Sequence, residues 1–412
     1  MDSLKISKGL LAIYAIFLNP IIFKNMEMVC YLIIYGLPII YFVLHTKEIS
    51  LYTRYISFYG LLLLFGFFIL LCSSAVVPYI KSTNDYTYVN TVMAILRKFI
   101  IIFFLLFITK KKYPSKNLID LFALYFSLGT VLYVCGSIFL FLIPNLKGMW
   151  LSLLNISEKT NVLFSNYGYA LRFGWSGFSG YRSTLDCSIA IVFLCYLYFS
   201  KKSTINLKTS RFTLFLILCF LGNLFYGRIG IVVSVIVILI GLVCYHKIDL
   251  KFIAGIFVFL LFLILCLMLL RNKSKMVNDW FLWMSTPFFN LIKTGSFNNY
   301  SVDNVLNKMI FLPSSKTIIF GDGMYTDRYT GSYYMNTDVG FMRQILFWGI
   351  GFTILSYVMT ISTILKIKSD RVLHIMLLAL FIIFEIKGEV YYEILPMMFA
   401  IFFATKRKNG FS

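Results

Sequence analysis

Run after run of roughly twenty apolar residues, joined by short basic turns, leaves this chain few ways to fold. Hydrocarbon offers no water to satisfy backbone N–H and C=O groups, so each run must close its own hydrogen bonds as a helix. The pattern predicts about twelve helices, at 9–23, 28–44, 55–77, 91–108, 118–142, 183–199, 211–226, 229–245, 252–270, 340–365, 372–385 and 390–405. Hydrophobic residues make up 60% of the 412 and charged residues 13%, a balance foreign to soluble domains. The expected fold class is all-α: a polytopic integral membrane protein forming a single membrane domain over 1–412. The N-terminal run lacks an A-x-A cleavage site and reads as a retained first span. No internal repeat of the kind that builds transporters from duplicated halves is visible.

Two long loops interrupt the spans, at about 143–182 and 271–341, both rich in Tyr, Gly, Asn and Arg. Basic residues gather instead in the turns HTKEISLYTR, TKKKYPSKN, SKKSTINLKTSR, HKIDLK and KIKSDR. Lys and Arg mark the cytoplasmic side, which places both termini in the cytoplasm and both long loops on the opposite face. The net charge of +21 is therefore read as topology, and nucleic acid is excluded as a partner because no basic soluble domain exists to bind it. The eight Cys fall in or at the edges of spans, with no CxxC spacing, and read as small apolar residues.

Charged groups in or near spans are costly and point to function. Arg228 stands between two spans in FYGRIG, flanked by Gly227 and Gly230, where a ligand or another backbone could approach; a guanidinium there forks to phosphate, or else anchors its helix at the headgroups. Arg172 and Arg182 bracket the Gly- and Ser-rich RFGWSGFSGYR and suit an anion cradle, although Arg182 is also spaced to pair with Asp186 on a helix. Arg97 and Lys98 lie in the loop-side half of the fourth span and either reach outward or line a cavity. Asp338 and Arg343 sit at the entry to the tenth span; Asp338 is a candidate helix N-cap or general base. Tyr333 and Tyr334 lie in the turn- and Tyr-rich stretch before the tenth span, Glu385, Glu389 and Glu393 cluster around the last loop-side turn, and FGDGM reads as a turn. No nucleotide, kinase, zinc-protease or serine-hydrolase motif occurs.

Over roughly residues 165–360 the chain resembles the Wzy-type O-antigen and capsular polysaccharide polymerases. Three segments carry the resemblance: RFGWSGFSGYRSTLD, FYGRIGIVVSV, and FGDGMYTDRYTGSYYMNTDVGFMRQILFWGIGF. The Pro-Asn usual after the Gly-rich turn is replaced by Ser183-Thr184-Leu185-Asp186, so whether Arg172 or Arg182 is the equivalent arginine stays open. The resemblance implies a metal-independent glycosyl transfer without a cofactor, at the outer face of a bacterial inner membrane. The donor would be a growing glycan on undecaprenyl pyrophosphate, the acceptor a new lipid-linked repeat unit, and a chain-length regulator a possible partner. It would make Arg228, Arg172, Arg182 and Asp338 catalytic, with Arg97, Arg343, Tyr333 and Tyr334 binding substrate. An O-antigen ligase is the nearest rival, but ligases of this superfamily are expected to use an outer-loop His, and His45, His246 and His374 all map to the other face. A lipid-oligosaccharide flippase is the rival of another class. The topology is testable with a membrane-impermeant thiol reagent: a cysteine placed at Asn299 should label in intact cells and one at Lys202 should not, and the reverse pattern inverts the map.

Overall fold

A computed structural model of the chain describes residues 6–53, 57–156, 172–246, 268, 278, 281–282, 285–286, 289–290, 292, 303–328 and 330–405. The expected ninth span apart from Met268, residues 157–171 of the first long loop and much of 271–302 in the second lie outside the described residues. Helices dominate: α1 Lys8–Leu18, α2 Glu27–Leu44, α3 Thr46–Thr53, α4 Phe58–Ile80, α5 Thr87–Lys112, α6 Leu118–Leu142, α7 Pro144–Leu153, α8 Tyr181–Phe199, α9 Thr209–Tyr226, α10 Arg228–Cys244, α11 Ser315–Phe320, α12 Gly340–Trp348, α13 Ile350–Lys366, α14 Arg371–Lys387 and α15 Tyr391–Thr405. One two-stranded hairpin, β1 Phe173–Gly174 and β2 Gly177–Phe178, accompanies them. Six of these helices (α2, α4, α5, α6, α8 and α9) are long and apolar enough to cross a membrane, and α1, α10, α13 and α15 are shorter apolar helices. The chain is thus all-α with the helices of a membrane protein.

Two expected spans are corrected. The first stops at Leu18 rather than running to residue 23, because the ring of Pro20 disfavours helical backbone at Asn19. The tenth is not one helix: α12 and α13 are separated at Gly349, whose φ of 82° and ψ of 175° suit only glycine. A Cβ there would stand 2.3 Å from the carbonyl oxygen of Ile319, so the break also lets α11 dock against backbone. The turn HTKEISLYTR, in contrast to its reading as a plain connection, carries the short helix α3.

The described chain falls into two units: Met1–Phe17, Tyr31–Tyr125 and Asn304–Ser412 form the first, Leu18–Cys30 and Phe126–Asp303 the second. In the first, α5 packs along α15 and α13 packs on α15 and α4. In the second, α8 packs against α9 and α10, which are separated by Gly227 alone. Buried Asn223 ties that trio together: its side-chain amide donates to the Gly230 carbonyl at 3.2 Å and to Ser234 Oγ at 2.8 Å, with Ser188 Oγ at 3.3 Å. Interhelical amide bonds of this kind hold helices where lipid gives no hydrophobic drive.

Gly349→Ala is expected to destabilise the protein by about 1–3 kcal/mol, through strained backbone and a collision. Gly351→Ala, two residues on, meets nothing within 4 Å and is expected to be neutral or stabilising by up to ~1 kcal/mol. Thermal unfolding of the two variants in detergent measures the contrast.

Candidate functional site

In the first unit, polar side chains converge on Glu389, in the turn between α14 and α15. Its carboxylate is 2% exposed. Tyr88 of α5 donates to Oε1, and Tyr325 donates to Oε2 at 2.7 Å. Arg343, in the first turn of α12, brings Nη1 to 3.9 Å from Oε2. Burial pushes the Glu389 carboxyl above its ordinary value, opposed by Arg343 and by both phenols.

Arg343 is clamped. Its guanidinium carbon lies 3.9 Å from the ring centroid of Tyr325 and 3.9 Å from that of Tyr333. The two rings flank a local backbone pairing: Thr326 bridges Tyr333, Asp327 N donates to Ser332 O at 2.8 Å, and Tyr334 N donates to Tyr325 O at 3.2 Å. A hairpin-like loop thus grips the cation with one tyrosine from each arm, a favourable cation–π arrangement. Arg343 is 9% exposed, and its Nε has no hydrogen-bond partner.

Asp85 anchors the loop. Its carboxylate accepts from Thr87 N and Oγ1 and, through Oδ2, from the backbone N–H groups of Tyr325 at 2.7 Å and Thr326 at 2.8 Å. Thr83 Oγ1 adds a bond to the Gly323 carbonyl at 2.5 Å. Burial works against the Asp85 charge, but these donors outweigh it and hold the carboxyl below its ordinary value. FGDGM is the expected turn, with Gly321 at φ 65° and Gly323 at φ 70°.

The remaining candidates of this unit separate. Asp338 does not cap α12; Val339 holds that position. Instead Asp338 Oδ2 pairs with Lys387 at 3.1 Å, while its Oδ1 is buried without a partner. Tyr334 is bound inward, donating to Asp322 Oδ2 at 3.3 Å, whereas Tyr333 is 48% exposed. Arg97 is exposed and reaches back to the Asn90 carbonyl at 3.1 Å, away from the cluster. Its neighbour Lys98 points inward and pairs with buried Glu393.

In the second unit, Arg172 leads into β1. Ser179 N donates to the Arg172 carbonyl at 2.7 Å and closes the hairpin. Tyr133 of α6 holds the hairpin through Ser176 Oγ at 2.8 Å and through Ser179. Gly174 is required here, since a Cβ would stand 2.2 Å from the Tyr133 hydroxyl. Arg228 begins α10, half-buried, and lies close enough to Arg172 for the two charges to act on each other. Lys147 of α7 brings Nζ to 3.9 Å from the Phe173 ring centroid, and burial pushes its ammonium down to about 8. Arg182 donates to the Leu18 carbonyl at 3.3 Å. Gly227 and Gly230 do not open space for a ligand: their missing side chains make room for Thr184 and Asn223.

No family model, curated protein or solved structure matches this chain. The site therefore stands on its geometry. Among the described residues no three His, Cys, Asp or Glu side chains gather as a metal site.

Sequence reasoning missed Asp85, Tyr88, Tyr325, Lys147 and Lys387, and it placed Glu389 only loosely. Asp85 carried a local signal, an Asp two residues before Thr87 at a helix start. Because its folded pKa lies below the unfolded one, its stabilisation is complete above the ordinary value of about 3.9 and is lost as pH falls through the lower folded value. Amide exchange at Tyr325 and Thr326, corrected for intrinsic rates, should accelerate below about pH 4. Asp85→Asn should make that exchange fast at every pH.

Proposed function

We propose that this chain is a polysaccharide polymerase of about twelve spans with both termini in the cytoplasm. It transfers a growing undecaprenyl-pyrophosphate-linked glycan onto a new lipid-linked repeat unit at the outer face of a bacterial inner membrane. The observation that carries the reading is the pairing of Arg172 and Arg228, which come within charge range of each other from separate elements. Two guanidiniums that feel one another's charge suit a pyrophosphate, because each offers a planar fork to phosphate oxygens. Lys147 beside Phe173 adds a third cation to the same unit.

In the proposed reaction the anomeric C–O bond to pyrophosphate breaks as the acceptor hydroxyl oxygen bonds to the anomeric carbon. The hydroxyl proton passes to a carboxylate, and the negative charge that grows on the leaving pyrophosphate is met by the arginines. In the first unit Asp338 is a carboxylate of the kind a general base requires, its Oδ1 buried without a hydrogen-bond partner. Tyr333 and Arg343 contribute to sugar binding, and Arg182 supports the hairpin side.

A flippase or transporter is the second reading, favoured by one observation: Lys98 and Glu393, in α5 and α15, form a buried ion pair. The surface-polysaccharide band pattern of cells lacking the protein separates the two. Loss of the ladder with a single repeat unit retained supports a polymerase, and loss of every repeat supports a flippase or ligase.

Arg228→Ala is expected to cut polymer formation by about 10²–10³-fold, the cost of one charge-stabilising donor, at near-normal protein level. Arg228→Lys should fail nearly as badly, because a point charge does not reproduce the fork. Normal ladders in both variants reduce Arg228 to a headgroup anchor.

A further inference from the structure

Three large apolar side chains on and just before the short helix α11 are exposed: Leu312 at 88%, Phe320 at 61% and Ile319 at 57%. A loop in water seldom presents such a patch, and one that does marks a contact surface. Phe320 lies beside the end of α4, where Lys81 Nζ is 5.8 Å from its ring centroid and Tyr79 and Ile80 are also exposed. Ile319 lies against the break between α12 and α13, its carbonyl oxygen 2.3 Å from where a Gly349 Cβ would stand. From that break an exposed apolar stripe at helical spacing, Ile350, Ile354 and Val358, runs down α13.

Helix length sets the depth of this patch. A helix rises about 1.5 Å per residue, so the 17 residues of α13 span about 25 Å. The hydrocarbon of a bilayer is about 30 Å thick. As a crossing helix α13 has no length to spare, and its first turn lies at or inside the hydrocarbon edge. What docks on the break at Gly349 shares that depth. Backbone there must close its own hydrogen bonds, because lipid supplies none. The segment does so. Ser314 Oγ accepts from Thr317 N at 3.1 Å, and Gly321 N donates to the Thr317 carbonyl at 2.8 Å. The next two N–H groups, of Asp322 and Gly323, donate to last-turn carbonyls of α12, Leu346 at 2.7 Å and Phe347 at 2.9 Å. Buried Thr317 donates its hydroxyl to Asp322 Oδ1 at 2.8 Å.

We propose that Leu312, Ile319 and Phe320 form a membrane-contact surface, and that α11 is an anchor seated at the hydrocarbon edge of the loop-side leaflet with lipid acyl chains against it. Acyl chains are the occupant because the patch continues the exposed apolar faces of α4 and α13, at the depth those helices set, and because its backbone donors are already taken up within the chain. Lys81 at the end of α4 and exposed Lys316 on α11 suit the rim of such a surface, since lysine keeps its stem on apolar material and its charge among headgroups. The anchor holds the FGDGM turn from which Tyr325 and its bonds to Asp85 follow. It would serve a polymerase and a transporter alike.

The test uses the full-length protein in phosphatidylcholine nanodiscs with plain or brominated acyl chains. Leu312→Trp and Phe320→Trp are made singly; both replace exposed side chains and should fold. Emission is read as the difference from the parent protein, which has five Trp of its own. Arg328→Trp, in an exposed part of the loop, is the water-facing reference. Brominated chains are expected to remove most of the emission added at 312 and at 320, and aqueous iodide to remove little of it. Quenching of both by iodide and not by brominated chains overturns the surface. Shielding of both from either quencher also overturns it, by placing a protein partner there. A diazirine on the acyl chain should label residues 311–320 of the unsubstituted protein, and labelling confined to other segments overturns the surface without any variant.

Discussion

A carboxylate buried among helices must obtain from the protein what water would have given it, and Glu389 imposes that demand on one end of the first unit. The effective penalty for burying an ion is several kcal/mol even after relaxation. Glu389 meets it with Tyr88 from α5, Tyr325 from the long loop and Arg343 from α12. Each of those suppliers is fixed in turn. Tyr88 lies against Phe347 and Trp348, Tyr325 hangs from Asp85, and Arg343 is held flat between two rings. Glu385 adds a second anchor, accepting the first backbone N–H groups of α15 from Val390 and Tyr391, both at 2.8 Å. Gly340 begins α12 because a Cβ there would stand 2.1 Å from Glu385 Oε2. Helix starts, loop and cation are therefore one connected arrangement, and none of its parts can shift alone.

The helices of the second unit are joined by neutral groups. Asn223 and the hydroxyls of Ser188 and Ser234 bond across α8, α9 and α10, and the small residues Gly222, Gly227 and Gly230 let those helices approach. Tyr133 holds the hairpin that follows Arg172 through Ser176 and Ser179.

Legibility in the sequence followed the range of the interaction. Helix extents are set by local periodicity and hydropathy, and α5, α6, α8, α9 and α10 fall close to the expected spans. Where a local rule was passed over, the extent was wrong: Asn19-Pro20 ends α1, and Gly349 divides α12 from α13. The site is another matter. Tyr88 and Glu389 are 301 residues apart, and Asp85 reaches Tyr325 across 240. No period or motif encodes such pairings; only the fold decides that Arg343 meets Glu389 rather than Asp338, or that Lys98 turns inward while Arg97 turns out. The glycines around Arg228 were legible as close approach, but not as approach by Thr184 and Asn223 of the same chain.

The two arginine sites differ in a way that solution conditions can expose. At Arg172 and Arg228 like charges act on one another, an interaction that weakens as ionic strength rises and the Debye length shrinks from ~10 Å at 0.1 M to ~3 Å at 1 M. At Arg343 the charge is already balanced by Glu389 and spread over two aromatic faces. Its contacts there rest on stacking and directional pairing in a buried place, which salt scarcely screens. In each place the residue's character is set by what surrounds its guanidinium rather than by its formal charge.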